Sequence, residues 1–101
     1  MTILYHVTTV AEWALAMQQG EYRAPSLETA GFIHCCLPEQ LPGVLERYFK
    51  QQTGLVALVI DSEKIQYPVQ YEPSPVVPEL FPHIYGPLNL DAVLEVKELQ
   101  Q

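Results

Sequence analysis

The sequence predicts an α+β fold in which two principal helices pack on a bent, mainly antiparallel sheet. Three observations lead there. Period-two alternation marks short β segments early and late in the chain. Helical spacing marks only two longer stretches, 10–19 and 40–52. Nine prolines among 101 residues interrupt the backbone too often for long elements.

Ile3, Tyr5 and Val7 alternate with Leu4, His6 and Thr8, which gives a first strand with His6 and Thr8 on one face. Thr9 and Glu12 have capping-box spacing, so a helix runs from Val10 to Gln19 and stops at Gly20. Trp13, Ala14, Leu15, Ala16 and Met17 give this helix a broad apolar face that is expected to be buried. The stretch 21–25 is extended and closed by Pro25, 26–30 supplies one helical turn, and Phe32 to Cys35 forms a buried strand. Pro38 suits a first helical position. Leu41, Val44, Leu45, Tyr48 and Phe49 then recur at helical spacing in a second helix, 40–52, that Gly54 ends. Leu55 to Ile60 is apolar without alternation, as a central strand covered on both faces requires. Strands at 67–71, 81–85 and 92–99 complete the sheet, with a proline-rich connector through Pro73, Pro75 and Pro78 and a turn opened by Asn89 or Asp91.

A hydrophobic fraction of 49% against 17% charged residues is that of a packed core rather than a disordered chain. With no repeat and no linker, residues 1–101 are expected to form a single globular domain. The net charge is −7, and the five basic residues are dispersed, so no nucleic-acid partner is expected. The longest apolar run falls far short of the ~20 residues that span a bilayer. The first residues carry no signal-type pattern, so the expected setting is cytoplasmic, away from membranes. Cys35 and Cys36 are adjacent, which disfavours a disulfide between them and marks both as reduced thiols. Oligomeric state is left open.

The chemistry gathers around the histidines. All three lie in aromatic-rich phrases at strand-like positions, Leu4-Tyr5-His6-Val7-Thr8, Gly31-Phe32-Ile33-His34-Cys35-Cys36 and Phe81-Pro82-His83-Ile84-Tyr85-Gly86. Imidazole donates, accepts, ligates metals and titrates near neutrality. Each histidine has a polar or aromatic neighbour two residues away on the same face, the composition of a concave pocket for flat rings and sugars. The bland alternative is a hydrogen-bonded core histidine, which accounts for any one of them more readily than for all three together. Three imidazoles also fit a zinc site, but no HxH or HxxxH pair exists, and no metal is expected. Of the two thiols only Cys36 shares the face of His34, and buried cysteines are usually inert. The acidic residues, Glu72, Glu79, Glu95 and Glu98 among them, read as solvated surface charges.

The phrases Tyr5-His6-Val7-Thr8, Gly20-Glu21-Tyr22, Gly31-Phe32-Ile33-His34-Cys35, Gln40 before a helix, and Phe81-Pro82-His83-Ile84-Tyr85-Gly86-Pro87-Leu88-Asn89 resemble domain-of-unknown-function family 952 over essentially the whole chain. The resemblance implies a fold similar to ADP-ribosyltransferases and a small-molecule ligand such as NAD or ADP-ribose. It further implies that His6 and Thr8 hold a ribose, that Tyr85 stacks on nicotinamide, and that His34 and His83 are the candidate catalytic residues. No motif-anchored equivalent of the usual catalytic glutamate is found. Three readings follow: an ADP-ribose-type binding domain with transferase or glycohydrolase chemistry, a noncatalytic small-molecule or interaction module, and a histidine-ligated metal-dependent hydrolase.

Overall fold

The computed structural model describes residues 1–99. Along them follow β1 (Ile3–Thr9), α1 (Val10–Gln19), β2 (Glu21–Tyr22), α2 (Pro25–Thr29), β3 (Ile33–His34), α3 (Leu41–Tyr48), β4 (Leu55–Asp61), β5 (Val69–Pro73), β6 (Leu80–Ile84), β7 (Leu88–Asn89) and β8 (Val93–Glu98). Short 3-10 turns lie at Pro38–Gln40, Ser62–Lys64 and Leu90–Ala92. The α+β class and the antiparallel pairing are as the sequence predicts. No helix among the described residues is long and apolar enough to cross a membrane.

Uninterrupted apolar sequence makes β4 the centre: every one of its residues is buried, between β1 on one side and β8 on the other. Leu4, Val56, Leu58 and Ile60 face the core, where Ala16 of α1, Tyr22, Ile33, Ile84 and Leu88 meet them. The expected single bent sheet is instead three antiparallel sheets, β1-β4-β8, β2-β7 and β3-β6-β5. The first and third touch at one bridge, where Tyr5 N–H donates to Cys36 O at 2.7 Å and Cys36 N–H donates to Tyr5 O at 2.8 Å. The bend breaks the ladder because β3 is so short. Gly31 turns at φ 85° just before it, and after it Cys35 still bonds to Pro82 of β6 while Cys36 has crossed to β1.

Three sequence expectations about the elements need correction. α1 has the predicted ends, with Thr9 Oγ1 accepting from Glu12 N–H at 3.1 Å and Gly20 left-handed at φ 85°. Its broad apolar face is not buried, however. The helix lies chiefly along β1 and β2, so only Ala16 is sealed and Val10, Leu15 and Met17 remain exposed. The second principal helix ends at Tyr48 rather than Gln52, because Phe49 leaves helical geometry and Gln51 turns left-handed at φ 64° well before Gly54. The strand expected at 67–71 is Val69–Pro73. Pro68 lacks an N–H for the ladder and contributes only its carbonyl, which accepts from Tyr85 N–H at 2.9 Å.

Several conspicuous residues turn out to hold the frame. The side chain of Gln40 accepts from Leu37 N–H at 2.8 Å and donates to Leu80 O at 2.9 Å, fastening the Pro38–Gln40 turn to the start of β6. Asn89 accepts from Gln66 N–H at 3.2 Å and donates to Lys64 O at 2.9 Å. Gly86 lies under the Tyr67 ring so closely that a Cβ would stand 2.3 Å from Tyr67 Cγ.

Candidate functional site

The site begins with register. On β3 and β6, Ile33 stands opposite Ile84 and His34 opposite His83. Both isoleucines are fully buried in the core, so alternation turns both histidines to the other face of the sheet. Their rings meet edge to face with centroids 5.1 Å apart. On the neighbouring β5, Gln70 opposes His83 and Glu72 opposes Phe81, which places Glu72 on the same face and diagonal to His83.

His83 is held on several sides. Its Nδ1–H donates to Glu72 Oε1 at 2.6 Å, and the Tyr85 hydroxyl donates to the same oxygen at 2.6 Å. Phe32 stacks on the imidazole at 4.0 Å with 15° between planes. A proton fixed on Nδ1 leaves Nε2 as the lone-pair nitrogen of the neutral ring. Nε2 has no hydrogen-bond partner among the described residues and is not sealed from solvent. The Tyr85 hydroxyl, and after it His83, hold the Glu72 carboxyl below the usual carboxylate range, and Glu72 in turn raises the Tyr85 phenol. Burial, then the neighbouring His83, lowers His34.

His6 is committed differently. Its Nδ1 must be the donor to the His34 carbonyl, 2.5 Å away, because a carbonyl only accepts. Its Nε2 therefore accepts, and the Tyr22 hydroxyl donates to it at 2.8 Å. With that proton directed at His6, the Tyr22 oxygen accepts from the Thr8 hydroxyl at 2.9 Å. Burial drives the His6 imidazole down to about 4 and the Tyr22 phenol upward, so the relay is neutral. Neither ring nitrogen of His6 is available for the ribose contact that the resemblance implies; its structural task is to fix the backbone of His34.

A cavity of about 630 Å³ opens beside these residues. His6, Thr8, His34 and His83 all line it, so the three histidine phrases converge on one space. Phe32, Phe81, Tyr48 and Val44 supply apolar and aromatic wall, the last two from α3. Tyr85 is not among the lining residues; its hydroxyl acts on Glu72, and its ring lies 5.3 Å from Phe32. No lysine or arginine is among the described residues that line the cavity, whereas Glu12 is. Cys36 lines it too, but burial raises that thiol to about 12 and raises Cys35 as well, so neither is a ready nucleophile. Among the described residues no three His, Cys, Asp or Glu side chains are grouped to hold a metal ion.

Glu72 is the site residue that sequence reasoning missed. Nothing local marks it, since its role depends on lying diagonal to His83 across a strand pair; the one available signal was a carboxylate on the strand preceding the histidine strand. Tyr22, a buried residue of the core, is at the same time the donor to His6.

A family model described as a protein of unknown function (DUF952) matches residues 7–96. The chain is also similar to protein CC0527 from Caulobacter crescentus. Its crystal structure is 30% identical with a TM-score of 0.88, over 98% of this chain and 87% of that one. The crystal structure of a double mutant gives the same values. The solution NMR structure is 31% identical with a TM-score of 0.82, over 99% of this chain and 86% of that one. No curated protein matches the sequence.

Proposed function

The chain belongs to the DUF952 family of proteins of unknown function, and from that premise we propose that its histidine-lined cavity binds a small molecule of the NAD or ADP-ribose type, on an ADP-ribosyltransferase-like fold. The observation that carries this reading is the meeting of His34 and His83, remote in sequence, ring to ring at 5.1 Å on the wall of one cavity. The volume of about 630 Å³ suits a nucleotide-sized ligand. Phe32 and Phe81 offer stacking faces, and the two imidazoles offer donors and acceptors for ribose or base. His6 and Thr8 support this wall through Tyr22 rather than through ring contacts of their own. A cytoplasmic setting, where Cys35 and Cys36 stay reduced, is part of the proposal.

Titration of the ¹⁵N-labelled protein with NAD and with ADP-ribose tests it. The expected result is saturable amide shifts confined to residues 4–8, 31–36 and 81–86 and to α3. Spectra unchanged at millimolar ligand overturn the proposal. A noncatalytic binding module is the second reading, favoured by the complete internal commitment of His6. It predicts the same shifts with no consumption of ligand.

A further inference from the structure

We infer that Glu72 and His83 form a carboxylate–imidazole proton-transfer pair, with His83 Nε2 the base that activates water for cleavage of a cationic N-riboside bound in the cavity. This rests on the ligand reading above and goes beyond binding.

Three features of the geometry support it. Glu72 Oε1 accepts from His83 Nδ1–H at 2.6 Å, which fixes the tautomer and turns the opposite nitrogen into an acceptor. The Tyr85 hydroxyl, on the same oxygen at 2.6 Å, keeps the carboxylate in place, and Phe32 stacked at 4.0 Å keeps the imidazole from rotating. His83 lines the cavity while Glu72 and Tyr85 do not, so the carboxylate and phenol act through the ring. His83 is thus the candidate catalytic residue, and Glu72 and Tyr85 are positioning residues.

The walls select the reaction class. Phosphoryl transfer builds negative charge and calls for cations, yet no lysine or arginine is among the described lining residues. Cleavage of a pyridinium N-riboside builds positive charge at the anomeric carbon and needs none. Water attacks C1′ and its oxygen forms the new C–O bond as the C1′–N bond breaks. The bonding pair leaves with the ring nitrogen, which turns the pyridinium into a neutral base. The proton lost by water goes to His83 Nε2, where the Glu72 carboxylate stabilises the imidazolium, and is then released to solvent. A neutral leaving group requires no acid, so one base suffices.

Nicotinamide release from NAD by the full chain, together with long-range ¹H–¹⁵N spectra of the imidazoles, tests the inference. The wild type should release nicotinamide and show His83 with its proton on Nδ1. His83→Gln should lower kcat by roughly 100-fold or more. Glu72→Ala should scramble the tautomer and lower kcat at least about tenfold with KM little changed. Glu72→Gln, whose amide oxygen still accepts from Nδ1–H, should restore the tautomer and only part of the rate. NAD that binds but is not cleaved overturns the proton-transfer assignment and leaves the ligand reading standing. NAD that does not bind removes that reading and this inference with it. Turnover at the wild-type rate in Glu72→Ala or His83→Gln shows that another group is the base.

Discussion

Acidification from pH 7 to pH 4 is expected to cost the folded chain on the order of 3 kcal/mol through His6 alone. The folded imidazole titrates at about 4 against an ordinary 6.5, with burial the leading cause. Between those values the unfolded chain takes up a proton that the folded chain refuses, so stability rises with pH through this window and falls as pH drops through it. His34, also lowered, and Glu72, held below its usual range, act in the same direction. The measurement is the urea midpoint as a function of pH for the wild type and for His6→Gln. The variant should be weaker at pH 7, because Tyr22 and the His34 carbonyl lose their partner at about 1–3 kcal/mol for each buried group left unsatisfied. Its slope between pH 6.5 and 4 should flatten. A variant that keeps the full wild-type slope would show that the acid sensitivity arises elsewhere.

Ile84→Ala should destabilise the chain by about 2–5 kcal/mol, and Ile33→Ala by a similar amount. Both side chains have no exposed surface, and they stand directly opposite each other across β3 and β6. Their importance exceeds their volume, since the same two-residue ladder carries His34 and His83 on its other face. Loss of either isoleucine should therefore move the imidazole resonances of both histidines. The double variant should depart from additivity by about 0.5–3 kcal/mol, as contacting residues do. Leu94→Ala on the exposed side of β8 is the control, expected within about 0.5 kcal/mol of the wild type. Equal losses at Leu94 and Ile84 would show that the β3–β6 ladder has no special role in the core.

Local pattern made much of this legible. The alternation of Ile3 to Thr8, the Thr9 cap, the stop at Gly20 and the apolar run from Leu55 each depend on neighbours along the chain, and each element lies where those neighbours put it. The pairing of β2 with β7 left no trace, because two-residue strands carry no period and Leu88 is positioned by what surrounds it. Burial on α1 was misread for a related reason: an apolar face shows that a helix can be covered, not how much sheet is present to cover it. In the site, the histidines were visible as residue types in distinctive phrases. Their unequal situations were not. His6 and His83 have comparable sequence surroundings, yet one is locked between a carbonyl and a phenol while the other keeps a nitrogen open. That difference comes from Tyr22 and Glu72, which reach the histidines across strand and sheet contacts.

The neighbouring thiols carry a practical consequence. Cys35 and Cys36 are both buried, and their surroundings oppose thiolate formation. Alkylating reagents such as iodoacetamide therefore meet no reactive sulfur until the seam between β1 and β3 parts. The rate of carbamidomethylation, followed by mass spectrometry, becomes a clock for that opening. A molecule seated in the cavity should slow the clock, with no added dye or tag needed to read it.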